Sequence, residues 1–328
     1  MLPFDASFAL FRKEMNSIMR KSLPIVLIVI SCLLAVSSCG KKEEEQKHTK
    51  VIGVTLLTRG HMFYKDLEEG LRTEAAKDDY ELIVTAAEFD IGKQIAQIED
   101  FVARKVDAII VCPVDSRGVG SGIKKANDAK IPVFTADIAA LEGNVVSHIA
   151  SDNELGGKRA GEYLAQLLHG KGNVAVIDQP ILTSVLDRVA GFKSAIEKYP
   201  GIKLVSDVNG DGVRDRSLEA ASDLLQAHPD LNGIFGINDE SALGALDAVQ
   251  AFKRMNIVIV GYDATPPAID AILKDSPLKA DVIQYPKKIG AATISTIKDY
   301  FSGVNVQKRY AVEVGIVDKE ALQKTTSP

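Results

Sequence analysis

The chain has no tryptophan and only three cysteines in 328 residues. Cys32 and Cys39 fall in an N-terminal segment considered below, so Cys112 stands alone in the body and no intrachain disulfide can form there. Stability must come from packed cores. No strong excess of either charge is present: the formal net charge of −5 argues against a nucleic-acid partner, which would favour a basic surface. The longest apolar run, Leu23 to Val36, falls short of the ~20 residues that span a bilayer. Catalytic motifs are also missing. There is no G-x-S-x-G, no H-E-x-x-H, no G-x-x-x-x-G-K-[ST], and no G-x-G-x-x-G after a strand; the glycine-rich GVGSG (118–122) matches none of them.

The apolar run belongs to MRKSLPIVLIVISCLLAVSSC (19–39), where Arg20 and Lys21 supply a basic start. Its end, Val36-Ser37-Ser38-Cys39, resembles the lipobox of bacterial lipoproteins, in which the Cys becomes the lipidated first residue. The expected arrangement is a signal peptide over residues 1–38, starting at Met19, and an exported chain lipid-anchored through Cys39 on the periplasmic or extracellular face of the cell membrane. GKKEEEQKHTK (40–50) is polar throughout, and residues 39–50 read as lipidated Cys plus solvated tether.

From Val51 the pattern changes. VIGVTLL, ELIVTAA, AIIVCPV and PVFTA are short, β-branched and strand-like, and between them FYKDLEEGLRTEAAK and KQIAQIEDFVARK carry apolar residues at helical spacing. A second series follows: NVAVIDQ, IKLVSDV, GIFGIN, IVIVGYD and ADVIQY, again separated by helical stretches. Regular alternation predicts an α/β fold of two similar, doubly wound parallel-sheet lobes. In such sheets ligands lie beyond the carboxyl ends of the strands. There the chain places Phe63 and Tyr64, Asp137, Asn238, Asp263 and Gln284, with Arg188 near the start of a helix. Carboxylates accept from hydroxyls, Arg donates a fixed fork, amides do both, and aromatic rings cover C–H faces. Taken singly, Asp or Asn after a strand is as well explained as a helix N-cap. Jointly they suit a neutral polyhydroxylated ligand.

VVSHIASDNELGGKRAGEYLA (145–165), AHPDLNGIFGINDESALGAL (227–246) and VIVGYDATP (258–266) carry a resemblance. Over Val51 to Val317 the chain resembles the periplasmic sugar-binding proteins of ABC transporters, in particular the ribose-binding branch, whose fold is shared with LacI-type repressor ligand domains. The resemblance implies the type I periplasmic binding protein fold, with a three-crossing hinge near Ser151, Gln284–Tyr285 and Ala311–Val314. It implies lobes of residues 51–151 plus 285–312 and 152–284 plus 313–325. It makes Phe63 and Tyr64 stacking aromatics, and Asp137, Arg188, Asn238, Asp263 and Gln284 polar contacts to a sugar. The chain departs from the pattern at Leu57, His61, Cys112, Ile138 and Gly212, all expected to line the pocket; Ile138 replaces an Arg and Gly212 falls near an aromatic position. Those departures move the expected ligand from ribose itself to a monosaccharide or related small polyol. Expected partners are that ligand, the permease subunits of an ABC importer, and the membrane through the lipid. Nucleic acid is not expected, nor a cofactor or catalysis, and the protein is expected to act as a monomer. A receptor module presenting a sugar or furanosyl signal to a chemoreceptor or sensor kinase has the same fold and stays open here.

DVNGDGVRD (207–215) places Asp207, Asn209, Asp211 and Asp215 in calcium-loop register. Leu218 stands where the loop needs its bidentate Glu, so a strand-to-helix turn is the better reading. A His61–Cys112 pair is too small for a zinc site, and a packing role suits Cys112.

Overall fold

The computed structural model describes Met15 and residues 49–326, so apart from Met15 the expected signal peptide, the expected lipid site Cys39 and the expected tether up to His48 lie outside the described residues. The first half of the body alternates strand and helix: β1 (Val51–Leu56), α1 (Met62–Ala75), β2 (Glu81–Ala86), α2 (Ile91–Ala103), β3 (Ala108–Val111), α3 (Gly120–Asp128), β4 (Val133–Ala136) and β5 (His148–Ser151). The second half repeats the scheme with α4 (Asn153–Leu167), β6 (Lys171–Asp178), α5 (Thr183–Ile196), β7 (Gly201–Asn209), α6 (Arg214–Ala227), β8 (Leu231–Gly236), α7 (Asp239–Ala251), β9 (Val258–Asp263), α8 (Pro266–Leu273) and β10 (Leu278–Ile283). It closes with α9 (Pro286–Phe301), β11 (Arg309–Val312), β12 (Val317–Asp318) and α10 (Lys319–Thr326).

Two six-stranded sheets result, ordered β2-β1-β3-β4-β5-β11 and β7-β6-β8-β9-β10-β12. All pairings are parallel except β10 with β12. Parallel strands need both faces covered, and the burial alternates accordingly. Along β6, Val174 and Val176 pack with α4 and α5 residues such as Leu164 and Phe192, while Ala175 and Ile177 pack with Leu224 and Leu243 of α6 and α7. The first sheet does the same: Ile110 joins Leu67 and Ile289 on one face, and Ile109 joins Phe101 and Ile123 on the other. The lobes are therefore doubly wound, as the alternation predicted. Helix starts follow local chemistry, with Asp90, Asp152 and Asn238 accepting from backbone N–H groups of the first turns of α2, α4 and α7. Proline opens α8 and α9.

The chain passes between the sheets three times. β5 leads straight into α4; β10 leads through Tyr285 into α9, which packs on α1 and the first sheet; β11 leads through Gly315 into β12. Backbone bonds tie these crossings together, Asp152 N–H to Val312 O at 2.9 Å and Gly315 N–H to Ile283 O at 3.1 Å. Three strands were not foreseen from the pattern: β5, β11 and β12. They are short, and two of them, β11 and β12, flank the last crossing. Among the described residues no helix is long and apolar enough to cross a membrane.

The closest helix packing in the second lobe joins α4 to α5, and it sets up the site. A Cβ on Gly157 would run into the Arg188 carbonyl, and one on Gly191 would run into the Glu154 carbonyl. Two backbones thus meet where only hydrogen fits. We expect Gly157→Ala to lose about 1–3 kcal/mol in urea denaturation at an unchanged slope, the usual range for forcing a methyl into a filled contact. A loss below about 0.5 kcal/mol would show that the helices can part freely.

Candidate functional site

Between the two lobes lies a cavity of about 40 Å³, walled by residues that include all seven expected contacts: Phe63, Tyr64, Asp137, Arg188, Asn238, Asp263 and Gln284. A water needs roughly 10–15 Å³ of such room, so the space suits a compact solute and excludes a polymer. Leu57, His61 and Ile138 also line it. Cys112 and Gly212 do not. Cys112 is fully buried in the core beneath, where burial pushes its thiol pKa well up, and Gly212 sits behind Gln179 and Asn238.

Arg188 stands at the centre. It is 5 % exposed, with Nε donating to Asn153 Oδ1 at 2.8 Å, Nη1 donating to Ile237 O at 2.8 Å, and the guanidinium carbon 3.9 Å from the centre of the Tyr262 ring. Asn153 opens α4 and Arg188 lies on α5, so the glycine contact between those helices brings donor and acceptor together. Neither bond uses Nη2, and the fork keeps a nitrogen to donate.

The carboxyls face this cation from both lobes. Asp137 follows β4 with φ +68°, and Asp263 ends β9 with φ +122°, followed by Ala264 at +56°. Such angles are unfavourable for residues with a side chain and concentrate where a side chain must be aimed at a ligand. Asp137 accepts from Tyr64 Oη at 2.6 Å. Burial raises its pKa, while Arg188 and the tyrosine hydroxyl pull it back. The same burial and the Asp137 charge hold the Tyr64 hydroxyl well above its usual value. Asp263 is partly open to the cavity but enclosed by protein. Removal from bulk water pushes its pKa up to about 8, against the pull of Arg188.

Gln284 donates from Nε2 to Asp263 Oδ1 at 2.6 Å and leaves Oε1 buried without a partner. Asn238 accepts from Ser241 N–H at 2.8 Å and donates to Gly212 O at 3.0 Å, so its cap role and its place in the wall coexist. Phe63 meets Tyr64 edge-on, ring centres 5.2 Å apart, and His61 meets Phe89 at 5.5 Å. Burial lowers the His61 pKa, which favours the neutral imidazole.

Several wall residues were missed from the sequence: Phe89, Gln179, Leu182, Ser184, Val185 and Ile237. Gln179 directly follows β6 and Phe89 is the third residue after β2, so a complete search of strand exits would have found both. The others lie on α5, at its N-cap or beside Asn238, and carry no signal of their own. The calcium-register loop is otherwise engaged. Asp207 pairs with Lys193 at 2.7 Å, Asn209 donates to Asp211 at 2.7 Å, and Arg216 faces Asp211 at 3.5 Å. Among the described residues no group of three or more acidic, His or Cys side chains is placed to hold a metal ion.

The lobes are joined across the cleft. Thr183 N–H donates to Ser116 Oγ at 3.0 Å, Ala139 N–H donates to Thr183 Oγ1 at 2.9 Å, and Ser116 N–H donates to Ile181 O at 3.2 Å.

With this geometry in view, comparison with known proteins is decisive. A family model described as periplasmic binding protein domain matches residues 52–304. The chain belongs to the periplasmic binding protein family. Ribose import binding protein RbsB of Salmonella typhimurium is 36% identical over 271 residues, 82% of this chain and 90% of that protein. Among solved structures, a periplasmic solute binding protein of an Actinobacillus succinogenes ABC transporter, with bound D-allose, superposes at TM-score 0.78 and 28% identity, covering 84% of this chain and all of that one. An ABC transporter solute binding protein from Mycobacterium smegmatis with bound glycerol gives TM-score 0.80 and 29% identity over 85% of this chain and 98% of that one. Proteins of this family bind solutes without transforming them, and this chain is a binding protein, not an enzyme. The fold is the type I periplasmic binding protein fold, two α/β lobes on a three-crossing hinge.

Beneath Asp263 a second carboxyl pair holds the loop after β9. Asp281 Oδ1 accepts from Ala264 N–H at 3.0 Å and Asp239 Oδ2 accepts from Thr265 N–H at 2.6 Å. Asp239 Oδ1 and Asp281 Oδ2 are buried with no donor. One proton held between them would satisfy both. Burial pushes Asp239 up to about 6, and burial with the Asp239 charge pushes Asp281 well above its usual value. A raised carboxyl pKa means the folded chain holds protons that the unfolded chain has released. The native state therefore loses stability as pH rises from about 4 through 6 and beyond. Asp281→Asn keeps the acceptor for Ala264 and gives Asp239 a permanent donor. Its thermal midpoint should gain on the wild type by several degrees more at pH 8 than at pH 5. An equal difference at both pH values would rule out the shared proton.

Proposed function

We propose that the protein is the extracytoplasmic sugar-binding component of an ABC importer, capturing a monosaccharide or small polyol between its lobes and presenting the closed form to permease subunits. The observation that carries this reading is the wall of the cavity: one fixed guanidinium, two carboxyls, three amides and aromatic rings including the Phe63–Tyr64 pair, all neutral or mutually balanced. That set matches a ring or chain of hydroxyls, which donate and accept at every carbon, and matches a charged solute poorly. Family membership and the relatives named above support sugar import over sensing. Phe63 and Tyr64 would cover the apolar face of the solute, and Asp137, Arg188, Asn238, Asp263 and Gln284 would meet its hydroxyls. Closure takes these bonds out of water and strengthens them. The lobes, residues 51–151 plus 285–312 and 152–284 plus 313–325, would rotate about the three crossings. One chain supplies every wall of the cavity, so a monomer suffices. Tethering through a lipid on Cys39, after removal of residues 1–38, would keep the protein beside its permease.

Calorimetric titration with D-ribose, D-allose and glycerol tests the site. Arg188→Ala should weaken the tightest of them at least tenfold, because buried hydroxyls lose a charged donor. Unchanged affinity would remove Arg188 from the site. For the anchor, Cys39→Ser should move the protein from the membrane fraction to the soluble one; persistence in membranes would show attachment by other means.

A further inference from the structure

We propose that Gln179 reads a hydroxyl of the solute, and that the bare backbone at Gly212 exists to let it do so. The inference rests on the reading of the cavity as a sugar site and adds to it a specificity determinant at a strand exit that the sequence reading passed over.

Gln179 is the first residue beyond β6, and its main chain is fixed on both sides. Its N–H donates to Asp178 Oδ1 at 2.6 Å, and its carbonyl accepts from Leu182 N–H at 3.4 Å. The residue is 6% exposed and lines the cavity. Its side-chain amide, with two donor hydrogens and an acceptor oxygen, makes no hydrogen bond to the described protein, whereas Asn238 and Gln284 in the same wall are each tied to a neighbour. The amide is not sealed off in the way Gln284 Oε1 is, so its donors and acceptor stay available to whatever fills the cavity. What adjoins this amide is the cavity.

Gly212 explains how the amide gets there. It follows a turn in which Asp211 N–H donates to Asn209 Oδ1 at 2.9 Å, and it adopts φ +66°. A Cβ at this position would overlap the Gln179 amide oxygen and lie 3.3 Å from Asn238 Nδ2. Any side chain there would displace Gln179 from the wall. On the other side of the cleft Ile138, 1% exposed, contributes no polar atom, so at this cavity the second lobe carries more of the hydroxyl recognition. An amide can donate to a hydroxyl oxygen or accept from its hydrogen, so it demands a hydroxyl without fixing its orientation. The ligand class that follows is a solute hydroxylated at the carbon nearest Gln179; a deoxy analogue at that carbon leaves the amide unpaired.

The experiment is calorimetric titration of the full-length mature chain, wild type and Gln179→Leu, with D-ribose, D-allose, glycerol and their monodeoxy analogues. For the tightest parent solute, Gln179→Leu should lose at least tenfold in affinity. One monodeoxy analogue should bind the wild type at least tenfold more weakly than the parent and lose nothing further in the variant. Without ligand, Gln179→Leu should melt close to the wild-type midpoint, since the amide holds no protein partner; a purely structural glutamine would give a lower midpoint. Parent affinity unchanged in the variant, or an equal loss for every analogue, overturns the role of Gln179 alone. Failure of the wild type to bind any of the three parents overturns this inference together with the sugar reading on which it rests.

Discussion

One buried cation organises the binding cleft. The guanidinium of Arg188 sits between two lobes, away from bulk water, with the carboxyls of Asp137 and Asp263 facing it and the Tyr262 ring beneath it. Buried charge is tolerable only when neighbours are fixed around it. Much of the second lobe's local structure serves that end: glycines let α4 and α5 meet backbone to backbone, Asn153 and the Ile237 carbonyl take two of the guanidinium's nitrogens, and left-handed backbone turns aim the two aspartates. The carboxyls are held toward their neutral forms by the same removal from water. The cleft thus offers donors and acceptors with little net charge, which is the chemistry a neutral polyhydroxylated solute requires.

The supports of this arrangement are themselves polar and buried. Asp239 and Asp281 grip the two amides after Asp263 and so fix the strained turn from which it projects. Across the cleft Thr183, four residues after Gln179 and five before Arg188, bonds to Ser116 and Ala139 of the opposite lobe. One short stretch, residues 179–188, therefore carries ligand-facing groups and the contacts that join the lobes. Ligand-facing groups and inter-lobe contacts thus share one short segment.

Much of this was legible in the sequence because strand and helix alternate without ambiguity, and because parallel sheets put their functional residues at strand exits. Seven expected contacts from six separate stretches of chain came to one cavity. What was not legible has physical causes. β11 and β12 are four and two residues long, below what periodicity resolves, and their pairing depends on the hinge. Cys112 and Gly212 lie one layer behind the wall, a distinction that depends on side-chain direction and not on position along a strand. Gln179 sat in plain view after its strand, but its meaning depends on the empty space over Gly212, which only the folded chain shows. The Asp239–Asp281 pair is equally silent in sequence, since the partners are far apart in the chain.

The most direct test of the central claim, that the cleft is built for a neutral polyhydroxylated solute, is a dye-based thermal-shift panel on the mature chain. The dye is needed because the chain has no tryptophan. Pentoses, hexoses and small polyols should be set beside amino acids, polyamines and organic acids. A solute at ~100 times its dissociation constant adds about 2.7 kcal/mol to stability and raises the midpoint by several degrees. The account predicts such a shift with at least one sugar or polyol and none with the charged compounds. A shift produced only by a charged solute would contradict it.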